Sequence, residues 1–266
     1  MRGCGNFWAS RRASSALSNE VIRTRIIPCL LIDDGDLVKT RQFANPVYVG
    51  DPINAVRIFN EKEVDELCLF DISASENKAA IDFQLLKDIA REANMPLTYG
   101  GGVANARDAA KLVSIGFEKI SLNSAVIHNP ALITEIGAEI GSQSVVVCVD
   151  VLETAPGKHE VRGARGKNTV SRDVAAYCRG IEELRAGEII INCISRDGTR
   201  QGYDIELARR ARAAVRCPLT IVGGAGSVAD LNVLDQEVGP VGAAAGALFV
   251  FKGVNNAVLI SYERPR

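Results

Sequence analysis

The sequence predicts an α/β protein folded as a single (β/α)8 barrel, and three observations predict it. Eight short runs of β-branched and apolar residues alternate with helical patterns along the whole chain. No linker between domains divides the chain, and its 266 residues suit one barrel of roughly 250 residues. Finally, PLTYGGGVANARDAAKLV (96–113) is echoed in the second half by PLTIVGGAGSVADLNVL (218–234), as expected of two similar half-barrels of four units each. The rival arrangement, a doubly wound open sheet, gives no reason for such a repeat.

The expected strands are RIIPCLLI (25–32), ELCLFDI (66–72), MPLTYGG (95–101), KISLN (119–123), SVVVCVDV (144–151), EIIINCI (188–194), CPLTIVGG (217–224) and AAAGALFV (243–250). Consecutive apolar residues bounded by turn signals mark strands buried on both faces. Helical patterns fill the gaps at 52–62, 83–93, 106–116, 130–141, 171–187, 203–215 and 227–237. The first follows Asp51, a capping residue, with Pro52 at the first helical position. VNNAVLISY (254–262) is expected to be the eighth helix.

Composition limits the function classes. Hydrophobic residues make up 47% and charged residues 24%, so a large core is available. A net charge of −1 and 5% aromatic residues give no general pull toward nucleic acid or an anionic membrane, and no base-stacking surface. No apolar run approaches the ~20 residues needed to span a bilayer. Seven cysteines without C-x-x-C spacing, several inside apolar runs, read as buried free thiols of a reducing, cytoplasmic compartment. The only histidines, His128 and His159, have no partner at metal-ligand spacing, so neither a metal nor a cofactor is expected. Residues 1–23 are rich in Ser, Arg and Ala and nearly free of acid. They are expected to form a disordered extension to a barrel spanning 24–266, with a transit peptide as the alternative.

Barrel chemistry sits beyond the C-terminal ends of the strands. Gly100, Gly101 and Gly102 end strand 3, and Gly223, Gly224, Ala225 and Gly226 end strand 7. Glycine turns of this kind expose backbone N–H groups at a helix N-terminus and can hold phosphate. Residues 121–124 and 245–247, with Asn123, Ser124, Gly246 and Ala247, end strands 4 and 8. The paired placement suits an elongated ligand with a phosphate at each end. Asp150 closes strand 5 after five apolar residues, where partial desolvation would raise its pKa and suit acid/base work. Asp197 and Gly198 lie in the polar loop after strand 6. Strand 1 ends differently: Leu31 and Ile32 come first, and Asp33 and Asp34 precede Gly35 as turn residues. At the opposite end, Arg25, Glu66, Lys119 and Glu188 stand before strands 1, 2, 4 and 6, where a ring of alternating sign could close the floor.

RIIPCL, GDPINAVRIFNEKEVDEL, FDISAS, GGG, INCISRDGTRQGYD and GGAG resemble the HisF family, the cyclase subunit of imidazole glycerol phosphate synthase, over residues 24–262. The resemblance implies a barrel that pairs with a HisH-type glutaminase, takes ammonia through its interior, and uses it on a two-phosphate ribonucleotide at its mouth. It implies that Arg25, Glu66, Lys119 and Glu188 match the ammonia gate and that Asp150 matches one of two catalytic aspartates. It also implies phosphate binding by Gly101, Gly102, Asn123, Ser124, Gly223 and Gly224, with Asp197, Gly198, Gly246 and Ala247 completing the candidate set. Leu31 occupies the place of the other aspartate, and Asp33 or Asp34 would have to substitute for it. Asn192, Cys193, Val222 and Ala247 replace hydroxyl residues usual in the family. RIIPCLL, LVKT, NPVYVGDPINAVRIFNEKEVDEL and GALFVFKG are similar to the WbuZ-type, glycosyl amidation-associated members. That subgroup implies delivery of ammonia for amidation of an N-acetyl sugar, with a sugar amidotransferase as further partner. The alternatives are a working histidine-pathway cyclase and a sugar-phosphate isomerase without a glutaminase.

Overall fold

A computed structural model describes residues 23–76, 80–253 and 255–263. Apart from Arg23, the expected N-terminal extension lies outside the described residues. Eight strands form the barrel: β1 (Arg25–Asp33), β2 (Leu67–Asp71), β3 (Leu97–Gly100), β4 (Lys119–Leu122), β5 (Val145–Ala155), β6 (Glu188–Cys193), β7 (Leu219–Val222) and β8 (Gly242–Ala245). Each pairs in parallel with the next, and β8 returns to β1 through Arg25 opposite Gly242 and Ile27 opposite Ala244, so the sheet is closed. The expected (β/α)8 barrel is therefore the observed fold.

Among the described residues, seven helices of nine or more residues cover the sheet: α1 (Pro52–Glu61), α2 (Phe83–Glu92), α3 (Ala106–Ser114), α4 (Leu132–Ile140), α5 (Val174–Glu183), α6 (Ile205–Ala214) and α7 (Val228–Val238). Six of their starts are fixed by side-chain caps, and α4, with Ala131 at the cap position, begins without one. Asp51, Asp82, Asn105, Asp173 and Asp204 each accept from a first-turn amide, and Ser227 with Asp230 forms a capping box. Strand side chains alternate between two separate cores. Outward residues such as Leu69, Val147 and Ile191 join the helices in the main core. Inward residues Ile27, Cys29, Cys68, Val146, Ile190, Val222 and Ala244 pack the barrel interior.

Two hairpins grow from the strand tops. Asp33 faces Asp36 across Asp34 (φ 48°) and Gly35 (φ 89°), so β1 turns directly into the strands Asp36–Arg41 and Ala44–Gly50. An Asp-Gly pair with both φ angles positive is a favoured hairpin turn. Likewise β5 continues past the barrel and pairs antiparallel with Lys158–Gly163, which pairs with Asn168–Ser171.

The end of the chain departs from expectation. Strand 8 stops at Ala245, and Ala247–Val250 is a short helix. Residues 255–263 form no eighth helix; Ala257–Val258 pairs antiparallel with Phe251–Lys252. Gly253 (φ 74°) and Asn256 (φ 52°) are left-handed, which makes a turn and breaks a helix. Tyr262 then stacks on Phe249 at 5.5 Å and seals this corner.

Strand 8 contributes almost no side-chain volume inward. A Cβ on Gly242 would collide with the Thr220 hydroxyl and meet Ile27 at 3.1 Å. Gly242→Val is therefore expected to cost about 1–3 kcal/mol through overpacking, read as a lower midpoint in urea unfolding. A midpoint equal to wild type would show that the interior has slack at this level.

The charge ring and the barrel mouth

The period of two that places Ile27, Cys29 and Cys68 inward also turns Arg25, Glu66, Lys119 and Glu188 inward at the floor. There they close a ring. Arg25 donates to Glu66 at 2.5 Å and to Glu188 at 2.7 Å, and Lys119 donates to the same two carboxylates at 2.6 and 2.8 Å. Thr98 and Thr220, from the layer above, add hydrogen bonds to Glu66 and Glu188. Both acids are buried, while the bases keep partial access to solvent. Burial alone would raise the Glu188 carboxyl, but Arg25 and Lys119 outweigh it and hold it below its usual value. Burial pulls Arg25 and Lys119 down, yet the two glutamates leave both above their ordinary values. Each acid thus serves both bases, and no member can leave without stranding charge.

The other end of the same inward face opens into a cavity of about 470 Å³. Asp150, at the top of β5, sits in its wall and is 9% exposed. Asn192 of β6 donates to one carboxylate oxygen at 2.9 Å, and Asn123 after β4 donates to the other at 3.0 Å. Burial pushes the Asp150 pKa up to about 6, against the pull of these two amides. It is held as a fixed acceptor with a pKa suited to proton transfer near neutrality. Leu31, Phe70 and Val222 supply an apolar wall around it.

The predicted site residues divide. Gly101, Gly102, Asn123, Ser124, Asp150, Asp197, Gly246 and Leu31 line the cavity. Gly198, Gly223, Gly224 and Ala247 are not among its lining residues, and neither are Asp33 and Asp34. Gly224 is packed against the loop after β6, where its carbonyl accepts from Gly202 N–H. Asp34 is exposed in the hairpin turn, with its N–H donating to Ser73. Asp197 is engaged by its side chain: Lys39 donates at 2.7 Å and Thr40 at 3.1 Å.

Sequence reasoning missed Lys39, Phe43, Phe70, His128 and Arg165 as cavity residues. The DG pair at 34–35 was the signal available for Lys39 and Phe43, because it turns the following segment back over the mouth. It also missed a partner for His159, whose Nε2 lies 2.8 Å from Asp204 with Glu153 close by. These three come from separate elements, so spacing along the chain conceals them. Asp204 spends its other oxygen capping α6 at Leu207, and the cluster serves as a strut between the β5 hairpin and that helix. No helix among the described residues is long and apolar enough to cross a membrane.

The fold and site define a closed (β/α)8 barrel with four paired charges at its floor and an aspartate-bearing mouth. The family described as "Histidine biosynthesis protein" matches residues 25–255, and the chain belongs to it, within its HisF branch. A Vibrio vulnificus protein provisionally named imidazole glycerol phosphate synthase subunit hisF3 is 47% identical over 92% of this chain and 95% of its own. A Leptospira interrogans protein provisionally named subunit HisF is 46% identical over 91% of this chain and 96% of its own. The imidazole glycerol phosphate synthase subunit HisF of Alkaliphilus metalliredigens is 36% identical over 88% of this chain and 93% of its own.

The pKa of Asp150 gives a signed expectation. An unfolded aspartate ionises near 3.9, so the penalty for burying the charge is absent below about pH 4, grows toward pH 6, and is full above it. The stability of Asp150→Asn relative to wild type should therefore rise by about 1–2 kcal/mol between pH 4 and pH 7.5. Thermal unfolding at both pH values measures this, and an equal shift at the two would contradict the burial penalty.

Proposed function

We propose that this barrel pairs with a HisH-type glutaminase and passes its ammonia from the charge ring toward the mouth, for amidation of an N-acetyl sugar in surface-polysaccharide biosynthesis by a sugar amidotransferase. The observation that carries this reading is a contrast between the two ends. The floor keeps a complete, mutually bonded ring, whereas the mouth has Leu31 where a second proton-transferring acid would stand. A ring that buries two acids is costly to maintain for folding alone, because apolar residues fill such space at least as well. Loss of one member of an acid/base pair costs ~10²–10⁴ in rate. The combination favours conduction over cyclisation. Asp150 remains as a group able to exchange a proton with ammonia or acceptor at the exit, and β1, with Leu31 in the wall, contributes no acid to the cavity.

The interior between the ends supports the same reading. Ile27, Cys29, Cys68, Val146 and Ile190 are uncharged and apolar, so a neutral molecule the size of ammonia meets no competing charge. The names of the relatives tie them to imidazole glycerol phosphate synthase, and a glutaminase partner follows from that kinship. Docking at the floor would place the ring at the junction of the two subunits.

Two measurements test the proposal. With ammonium salt and the two-phosphate ribonucleotide substrate of HisF, the chain is expected to turn over at least about 100-fold more slowly than a HisF carrying both aspartates. A rate close to that HisF would overturn the conduit reading in favour of a cyclase. In the reconstituted amidation system, Lys119→Met is expected to change the glutamine-driven rate and leave the ammonium-driven rate unaltered. Equal effects on both would remove the role of the ring as a gate.

A further inference from the structure

The antiparallel hairpin that continues β5 sets Glu153 directly opposite His159. Facing side chains of such a pair have Cβ atoms roughly 4.5–5.5 Å apart on one face of the ribbon. Asp204, at the cap position of α6, reaches the same point from the end of the loop after β6. One ligand atom of each residue lies within 4.8 Å of the other two. The side chains of His159 and Asp204 are 1% and 8% exposed. Glu153 is half-buried, which leaves the cluster a path to solvent. None of the three lines the mouth cavity, so they form a separate place on the fold.

The hydrogen bonding of this cluster is incomplete. Asp204 uses Oδ1 on the Leu207 amide and sets Oδ2 2.8 Å from His159 Nε2. Glu153 uses Oε1 on the Gly157 N–H at 3.0 Å. The buried Nδ1 of His159 has no hydrogen-bond partner among the described residues, a state seldom left uncompensated in a core. No group of the chain therefore fixes the ring proton, and with the proton on Nδ1 a bare Nε2 faces the two carboxylates. Lone pairs then meet at 2.8 Å, and a cation between them relieves the repulsion. Charge argues the same way. Burial alone would raise the Asp204 carboxyl, but His159 and the Leu207 amide, with a smaller contribution from Arg196, hold it below its usual value. Two carboxylates carry more charge than one imidazole balances.

One imidazole nitrogen with two carboxylate oxygens is a borderline donor set. It suits Zn²⁺ and its first-row neighbours, whereas Mg²⁺ and Ca²⁺ take oxygen ligands in larger number. We propose that Glu153, His159 and Asp204 form a site for a divalent transition-metal ion, which ties the β5 hairpin to the start of α6. That hairpin carries Arg165 to the cavity wall, so the ion braces one side of the mouth without entering it. The inference goes beyond the conduit reading and does not depend on it.

The test is a titration of the full chain, freed of metal by a chelator, with Co²⁺, whose absorption spectrum separates nitrogen and oxygen ligands from the thiolates of the cysteines. The wild type is expected to take up about one Co²⁺ per chain with visible ligand-field bands and no intense thiolate charge-transfer band. Zn²⁺ should displace it and Mg²⁺ should not. Glu153→Gln keeps an acceptor for the Gly157 amide while removing the charge, and it is expected to weaken binding by about tenfold or more, as is His159→Gln. Thermal unfolding gives a second readout: Zn²⁺ should raise the midpoint of the wild type and leave that of Glu153→Gln unmoved. No uptake by the wild type, thiolate bands alone, or equal binding by Glu153→Gln would overturn the proposal and leave His159 simply paired with Asp204. Neither readout involves ammonia or a glutaminase, so failure of the conduit reading would appear separately, in the glutamine-driven assay.

Discussion

Two glutamates buried at the floor of a closed sheet govern much of this molecule. An unpaired buried carboxylate is costly, and each of these two is paired with both Arg25 and Lys119. Arg25 and Lys119 can meet that need only if β1, β2, β4 and β6 keep their registers. A slip of one residue would turn a charged side chain from the lumen toward the helices. The ring is thus a register lock, and the same registers set the other end. Counting upward in steps of two, Glu188 leads through Ile190 to Asn192, and Arg25 leads through Ile27 and Cys29 to Leu31. Floor, interior and mouth are successive layers of one arrangement.

That layering explains why so much of the fold was legible. Runs buried on both faces, capping residues before helices and a half-barrel repeat are local signals, and each reports on its own segment. The ring could be listed as four charges before four strands, although its closure is a matter of distances that only the folded sheet supplies. Asp150 could be placed at the mouth from its position after five apolar residues. Its two amide donors come from different strands, so the clamp itself could not be read.

What escaped was the work of non-local contact. The segment 36–50 carries Lys39, whose ion-pair partner Asp197 lies more than a hundred residues away. Its turn, Gln-Phe, has none of the usual hairpin residues. The last segment failed for a different reason. VNNAVLISY has apolar residues enough for a helix, but its Asn pair favours a turn, and Tyr262 finds its partner in Phe249 rather than on a helical face. The glycine turns after β3 and β7 are alike in sequence, whereas Gly101 and Gly102 line the cavity and Gly223 and Gly224 do not.

The thiols of the interior bear on what can cross it. Cys29 holds its proton well beyond the ordinary thiol range, first through its contact with Cys68 and then through burial, and burial does the same for Cys148. They pack with Ile27, Val146, Ile190 and Val222. Cys29 and Cys148 therefore stay protonated and uncharged between the ring and Asp150. Under the conduit proposal, a base crossing this layer would meet no charged thiol, and its neutral form would be the one favoured to cross.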